Sequence, residues 1–498
     1  MLTMFIIANV VKFLADLKLG WKDYTLVIGL VCSFVAASVW VNGGGFLLNG
    51  EADWFLIDHN SSERSLLSKV ICPHRHDAEH YMAREISFIA DHIDARFIHA
   101  CVMNGYAHFL SLSNYLMLGA ISVMFWVMAK VVGLDRITSC LLLCVFWTAP
   151  PIFMSGGFMR SGHTLAAFLM TALVLFIYYR PLHMSRSAMW IVTAIGSFLL
   201  TWSDRQGLFA SCCIGLFALI INPSGLRWVI CSAIAVAVSC HTFHYLFTGP
   251  WLIQQFTPFA SVNISSNPMH VAGANKGAGF IKAGLASLAE LPGGFTIALS
   301  NVRLLIGNVP YAVAAVAIIA AGWLCGRKWL PVLVVALIAT FNCVMLRASS
   351  VMLWPDCLPS IYYHIISTTA LWLILAFCLL KVRPSVARWC LLAMVAGNAF
   401  GLSSHVNAFK RGHLVGFISG APHMRDALNQ VAAHKTPPVR WPHSYNTLES
   451  CHFTGWQHVM KNPLEYGGKL TAQEFVESSQ YLQFVRSEKG LPFGRGGR

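Results

Sequence analysis

The sequence predicts an all-α polytopic membrane protein, and its composition is the first reason. Hydrophobic residues make up 56% of the 498 positions and charged residues only 11%, whereas a soluble domain has about 25% charged residues. The apolar residues form long runs, which fold as helices in a bilayer because a helix satisfies its own backbone hydrogen bonds. The runs do not alternate polar and apolar residues as the strands of a membrane barrel do.

Eleven of these runs are predicted transmembrane helices, although several are shorter than the ~20 residues that a bilayer requires. The predicted spans are Tyr24–Leu47, Phe109–Val132, Ile137–Met154, His163–Tyr179, Ala188–Trp202, Gly207–Ile221, Trp228–Phe247, Leu304–Leu324, Trp329–Leu346, Ile361–Leu380 and Trp389–Ser403. Together they form one transmembrane domain over residues 24–403.

Lysine and arginine are distributed unevenly over the connectors, and this asymmetry predicts the orientation of the chain. The N-terminal segment and every second connector after it hold thirteen of these residues, against three in the short connectors of the other side. Because cytoplasmic connectors carry the excess of Lys and Arg, we expect a cytoplasmic N-terminus, with residues 1–23 as an interfacial helix. Topology then explains much of the net charge of +14, so we predict no nucleic-acid partner.

Three larger segments then lie on the outer side: loops over residues 48–108 and 248–303, and a small C-terminal tail over residues 404–498. The first loop contains HDAEHYMAREISFIADHIDARFIHA, whose apolar residues recur every three or four positions, as on one face of a helix. We expect this amphipathic helix to lie flat at the membrane surface or against the bundle, with a solvated charged face. That face carries Arg84, Glu85, Asp91, Asp94 and Arg96.

The predicted spans are almost free of charge, because none has Asp, Glu, Lys or Arg in its middle. Ion-coupled transporters need ionisable groups near the centre of the membrane. The sequence therefore argues against a proton- or sodium-driven carrier and concentrates the polar chemistry at the outer surface.

The stretches FMRSGHTLAAFLMTALVLFIYYRP and LTWSDRQGLF place an outer Arg or Asp beside the end of a span. With the inward N-terminus, the acidic first loop, its surface helix and the outer tail, they resemble the GT-C superfamily of membrane glycosyltransferases. The resemblance implies a GT-C-like bundle and an inverting transfer of sugar from a polyprenyl-phosphate donor. It also implies a catalytic base among the carboxylates after the first span. Asp53 fits that role best by position, and Asp58 is second.

The departing lipid phosphate would need fixed cations, a task for which the fork of an arginine is suited. The candidates for phosphate binding are Arg160, Arg205, Lys276 and Arg347, and the supporting candidates are Asp204, Glu85, His163, Tyr363 and His364. Plainer interpretations stay open: an exposed helix-end pair for Asp204 and Arg205, an ordinary surface loop for Lys276, and an aromatic belt for Tyr363.

Two other classes of function also stay open. A carrier or flippase of lipid-linked saccharide would keep the basic rim but need no acid at a fixed position. A non-catalytic assembly subunit would tolerate the loss of each outer acid. For the enzyme we expect a polyprenyl-phosphate-linked sugar as donor and a glycan, lipid or protein as acceptor. We expect the protein to lie in a bacterial inner membrane, in contact with membrane lipid.

Outer cysteines and histidines leave further alternatives. Cys72, Cys101, Cys357 and Cys451 permit two disulfides in three pairings if the outer side is oxidising. The stretch CPHRHDAEH, residues 72–80, could hold a divalent metal, but its spacing fits no standard zinc pattern. We therefore expect no cofactor.

Overall fold

The computed structural model describes residues 20–41, 56, 59–60, 65–71, 83–104, 111–131, 133–153, 155, 161–179, 184–221, 224–249, 251–252, 309–324, 365–380 and 382–411. In these ranges the chain is helical and forms no strand. Four of the described helices are long and apolar enough to cross a bilayer. The predicted class, a helical membrane protein, is confirmed at this level.

The helices follow the apolar runs closely. In chain order they are α1 Trp21–Val41, α2 Leu66–Ile71, α3 Glu85–Met103, α4 Leu112–Val131, α5 Arg136–Thr148, α6 Pro150–Phe153, α7 Ser161–Tyr179, α8 Arg186–Ser203, α9 Arg205–Ile221, α10 Ser224–Phe243, α11 Val309–Leu324, α12 Ile365–Leu379 and α13 Pro384–Arg411. Each predicted span except Trp329–Leu346, which lies outside the described residues, overlaps at least one of these helices. The number of spans, eleven, stays a prediction.

Two predicted boundaries differ from the structure for reasons of local chemistry. The span predicted over Ile137–Met154 is divided into α5 and α6 by Ala149, which is extended (φ −64°, ψ 126°). A residue before proline avoids the helical region and proline has no amide hydrogen to donate, so the sequence Pro-Pro ends α5. The last helix continues beyond Ser403 to Arg411, because no proline or glycine interrupts residues 402–411.

Ion pairs connect several helices at one end of the bundle. Asp23 in the first turn of α1 accepts a hydrogen bond from Arg136 at the start of α5 (2.9 Å) and lies 3.1 Å from the ammonium of Lys130 at the end of α4. Arg388, near the start of α13, donates to Asp135 (3.1 Å). We call this the basic end: α1, α5 and α13 begin there, and α4 ends there.

Three exposed tryptophans mark the basic end as a membrane interface. Trp21, Trp228 and Trp389 lie in the first two turns of α1, α10 and α13 and are 83%, 67% and 74% exposed. Each is next to a lysine or arginine in the chain. Indole rings and basic side chains collect at the headgroup level of a bilayer, so this arrangement agrees with a bundle embedded in a membrane.

Aromatic side chains from helices distant in sequence fill the core. Trp372 of α12 packs against Phe125 of α4 and Phe146 of α5, with ring centroids 4.3 and 4.6 Å apart. Its indole nitrogen donates to the carbonyl of Leu142 (2.9 Å), which matters because a buried unpaired donor costs about 1–3 kcal/mol. The core therefore ties α12 to both earlier helices.

The connection between α8 and α9 is a single residue, Asp204. The amide of Gly207 donates to the Asp204 carbonyl (2.9 Å), and a Cβ atom at position 207 would overlap the carbonyl oxygen of Leu200. Only glycine permits this approach. The tight hairpin places Asp204 at the end of the bundle opposite the basic end.

Gly207→Ala should destabilise the folded protein by about 3 kcal/mol, because the added methyl group meets backbone that can move only if the hairpin opens. Gly215→Ala in the same helix is the matched control. Its Cβ would lie 3.6 Å from Ile234, an ordinary contact, and alanine favours the helix by up to ~1 kcal/mol. Unfolding of the purified protein in detergent, followed by circular dichroism, measures both. Equal stability of the two variants would contradict the close approach.

Candidate functional site

The loop helix α3 lies across the end of the bundle opposite the basic end, with its polar face turned inward. Asp91 and Asp94 are 2% and 0% exposed, whereas Ile89 and Ile93 are 49% and 57% exposed. The expected solvated face of acids is therefore wrong, and Glu85 is buried as well. The physical reason is that the neighbouring helix ends offer amide and hydroxyl groups that satisfy carboxylates. We call this the α3 end.

Two of the α3 carboxylates act as N-caps for other helices. Asp91 accepts hydrogen bonds from the amide and hydroxyl of Ser161 at the start of α7 (3.1 and 2.5 Å). Asp94 accepts from the amide of Ser113 (3.0 Å) and from the hydroxyls of Ser111 and Ser113 (2.6 and 2.5 Å), where α4 begins. Negative charge is favourable at a helix N-terminus, so α3 holds the starts of two bundle helices together.

Burial raises the pKa of both capping carboxyls. For Asp91 the pKa rises to about 7, because burial and the nearby charge of Asp94 outweigh the hydrogen bonds from Ser161. Burial also raises the pKa of Asp94, against the hydrogen bonds from Ser111 and Ser113. Asp91 therefore gains and loses its proton near neutral pH.

A buried ionic group lies beside these caps. The guanidinium of Arg84 donates to Asp204 Oδ2 (3.4 Å), and His163 Nδ1 lies 3.3 Å from the same oxygen. Asp204 Oδ1 accepts from the amide of Gln206 (2.9 Å) and so caps α9. The interpretation of Asp204 as half of an exposed pair is wrong, because Asp204 is 2% exposed. Arg205 begins α9, but its side chain is outside the described part of the chain.

The surroundings of Asp204 make it a permanent negative charge. Burial alone would raise the pKa of this carboxyl, but His163, Arg84 and the Gln206 amide together lower it well below the usual range. A carboxylate that stays ionised is suited to holding Arg84 in place and unsuited to carrying protons.

Glu85 connects α3 to two further helix ends. Its carboxylate accepts a hydrogen bond from the indole nitrogen of Trp202 at the end of α8 and lies 3.0 Å from His244 Nε2. His244 opens a π-helical turn, His244–Thr248, that follows α10, and its ring meets the Trp202 ring edge-on at 5.4 Å. Such turns occur frequently at functional sites. A glutamate–histidine pair therefore lies at the same end as Asp204.

Backbone constraints fix the position of α3. A Cβ atom on Gly162 would lie 2.9 Å from the Ser87 Cβ and 3.0 Å from the Ser203 carbonyl oxygen, so the start of α7 meets both neighbours only because it has glycine there. Ala83, which leads into Arg84, has a φ of +48°. This left-handed conformation costs a non-glycine residue about 1–2 kcal/mol, which the contacts of the α3 end offset.

The chain that follows Asp58 is anchored on α3. The Asn60 amide oxygen accepts a hydrogen bond from Arg96 (3.2 Å). The Nδ1 atoms of His59 and His92 lie 3.0 Å apart. The part of the first loop next to a predicted catalytic carboxylate therefore belongs to the α3 end.

The structure brings three of the sequence-predicted site residues together at the α3 end: Glu85, His163 and Asp204. The remaining predicted side chains lie outside what the structure describes, and their roles stay predictions: Asp53, Asp58, Arg160, Arg205, Lys276, Arg347, Tyr363 and His364. Residues 72–80 are also outside, as are three of the four outer cysteines, all but Cys101. Within the described ranges, no group of three or more His, Cys, Asp or Glu side chains is arranged to hold a metal ion.

The sequence did not predict the partners of the two acids Asp204 and Glu85. Nothing local links Arg84 to Asp204, 120 positions later, or Glu85 to His244, 159 positions later. One signal was present in the sequence, because polar residues recur at spacings of three and four opposite the apolar stripe of α3. These residues are Arg84, Ser87, Asp91 and Asp94. In a membrane protein the apolar face of a helix can be covered by lipid. A polar stripe on the opposite face then indicates that the polar side chains are buried against the protein.

The fold and the site define a helical membrane protein with a buried ionic cluster at one end of its bundle. No protein-family model, curated protein or solved structure matches the chain.

Arg84→Gln and Asp204→Asn should each destabilise the protein by about 3–5 kcal/mol, because each leaves a buried charge without a main partner. The double variant should cost at least ~1 kcal/mol less than the sum of the single changes, since residues in contact couple. Asp135→Asn is the control, because its pair with Arg388 is partly exposed and such pairs contribute about 0–1 kcal/mol. Additive effects in denaturant unfolding would show that Arg84 and Asp204 do not interact.

Asp91 should make stability fall as the pH rises from about 4 to about 7. In that window the folded carboxyl, with its pKa of about 7, keeps a proton that the unfolded carboxyl, with a pKa of 3.8, has lost. Asp91→Asn should remove this part of the slope while keeping an acceptor for Ser161. Melting temperatures at pH 5 and pH 8 measure the slope, and Asp135→Asn should keep the wild-type value. A wild-type slope in Asp91→Asn would refute the assignment.

Proposed function

We propose that this chain is a membrane glycosyltransferase of the GT-C type, which moves a sugar with inversion from a polyprenyl-phosphate donor to an acceptor at the extracytoplasmic face. The observation that supports the proposal most is the gathering of buried acids, histidines and Arg84 at the α3 end. We assign that end to the extracytoplasmic side, because the opposite end carries the basic residues that are typical of cytoplasmic connectors.

The distribution of charge along the spans favours an enzyme over an ion-coupled carrier. In the described helices that could span a bilayer, Asp, Glu, Lys and Arg lie near the helix ends and not in the middle. A carrier would need ionisable groups at mid-membrane. The chemistry is therefore proposed to take place at one surface, where the lipid phosphate lies.

Asp53 is the proposed general base, and Asp58 is the second candidate for that role. The acceptor hydroxyl or amine attacks the anomeric carbon and gives its proton to the carboxylate, while the bond from that carbon to the phosphate oxygen breaks and leaves its electron pair on the oxygen. The anchoring of His59 and Asn60 on α3 supports Asp58, because it fixes the next residues in the chain.

The growing charge on the lipid phosphate needs fixed cations. Proposed phosphate contacts are Arg160, Arg205, Lys276 and Arg347. Asp204 acts in this proposal as a positioning residue, since its permanent charge holds Arg84 and orients His163. Glu85 similarly positions His244.

Turnover of labelled polyprenyl-phosphate sugars by the purified protein in liposomes, with a total membrane extract as acceptor source, tests the proposal. The wild type should consume at least one donor. Asp53→Asn or Asp58→Asn should lower the rate about 10²-fold or more, the effect of losing a general base, and Arg205→Ala should lower it comparably. Asp135→Asn, at the basic end, should keep the wild-type rate.

Equal rates in all of these variants would refute the residue assignments. Movement of the lipid across the bilayer without consumption of any donor would replace the enzyme by a flippase of lipid-linked saccharide.

A further inference from the structure

Four side chains that carry or can carry positive charge meet where the first loop packs on α3. We call His59, Lys69, His92 and Arg96 the basic cluster. The two imidazoles are in contact (3.0 Å between the Nδ1 atoms), and the ammonium of Lys69 donates to the His59 carbonyl (3.2 Å). Lys69 and His59 are 6% and 1% exposed. Burial, and then the charges of Lys69 and Arg96, lower the pKa of His92, as expected where positive groups converge.

The basic cluster borders an apolar strip. On a helix of 3.6 residues per turn, His92 and Arg96 lie one turn apart along one margin of α3, and the outward face lies beside that margin. That face carries Ile89, Ile93 and Phe97, which are 49%, 57% and 41% exposed. The helix α2 packs on α3 and adds two exposed leucines. Fixed positive groups and an apolar surface therefore adjoin at the α3 end.

We propose that the basic cluster binds the phosphate monoester of the polyprenyl lipid after the sugar has been transferred, as a site separate from the donor-phosphate contacts proposed above, and that the apolar strip of α3 carries the first part of its hydrocarbon chain. This inference deepens the proposed function and rests on it for the identity of the lipid. An anionic amphiphile at a membrane interface needs cations beside an apolar surface, and α3 presents both on adjoining faces. The phosphate monoester left after sugar transfer carries more negative charge than the donor phosphate, which suits a site where the charges of Lys69 and Arg96 lie beside two imidazoles.

The chemistry of the cluster favours this ligand over others at the same place. A metal ion would be repelled by Lys69 and Arg96, whose side chains only donate hydrogen bonds. The exposed fork of Arg96 and the half-buried imidazole of His92 offer directed donors for phosphate oxygens, and Lys69, buried behind them, adds a compact charge. The diester phosphate of a phospholipid headgroup has fewer charged oxygens than a phosphate monoester, so it matches the basic cluster less well.

Binding of farnesyl phosphate, a short prenyl monophosphate, to the full-length protein in detergent tests the site. Arg96→Gln should raise the Kd about tenfold, the effect of one lost charge-assisted hydrogen bond. Arg96 is exposed, so the variant should fold, and Arg96→Lys should recover part of the affinity. His92→Gln should also weaken binding several-fold. Lys22→Gln, which removes an exposed charge at the basic end, should leave the Kd unchanged.

The apolar strip has its own test. Ile93→Ser should weaken the binding of farnesyl phosphate several-fold and leave the binding of inorganic phosphate unchanged, because it removes only apolar contact. Ile137→Ser is the matched control, since Ile137 is 55% exposed and Ile93 is 57% exposed. Farnesol, which lacks the phosphate, should bind much more weakly than farnesyl phosphate.

Wild-type affinity in both Arg96→Gln and His92→Gln would overturn the proposal. Equal binding of phosphatidylglycerol would also overturn it, in favour of a general phospholipid contact. Donor turnover separates the two proposals. If the donor is consumed but the cluster variants bind farnesyl phosphate normally, the enzyme stands and the lipid site is elsewhere. If no donor is consumed but binding depends on Arg96, the lipid site stands and the glycosyltransferase does not.

Discussion

The contact between the carboxylates of α3 and the starts of other helices is the constraint on which the rest of the α3 end depends. The first amides of a helix have no partner inside that helix. At Ser161 and Ser113 those amides are bound by Asp91 and Asp94, which belong to a different helix. Each such cap contributes about 0.5–2 kcal/mol. One crossing helix thereby fixes the relative positions of α4 and α7, and the space that it closes is where Arg84, Asp204 and His163 meet.

This arrangement reverses the usual amphipathic helix. On a soluble protein the apolar stripe of a surface helix faces the core and the charged side faces water. In α3 the acids enter the bundle, where they find donors, and the isoleucines face outward, where lipid can cover them. A polar site and a lipid-facing surface are thus two sides of one helix, only half a turn apart.

Much of the fold could be predicted from the sequence, because apolar runs are a local property. Hydrophobicity alone placed the ends of the helices α7, α8 and α9 within two residues. It did not place the division between α5 and α6, although Pro150 and Pro151 mark it in the sequence. The candidate site was harder to predict. Asp204 and His163 could be selected from their positions at span ends, but Arg84 and His244 reach their partners across more than a hundred positions. The burial of Asp91 depends on donors that only the assembled bundle provides.

The order of residues in the chain adds a consequence for biogenesis. The acids of α3 are synthesised before every helix to which they bind, since Ser161, Trp202 and His244 all come later. Synthesis proceeds from the N-terminus, so the first loop is complete before Ser161, Trp202 and His244 have been synthesised. Until those helices are inserted, the carboxylates have only water to solvate them, and α3 cannot take up its final position. The helix α3 can therefore dock on the bundle only after the helices through α10 have been inserted and assembled.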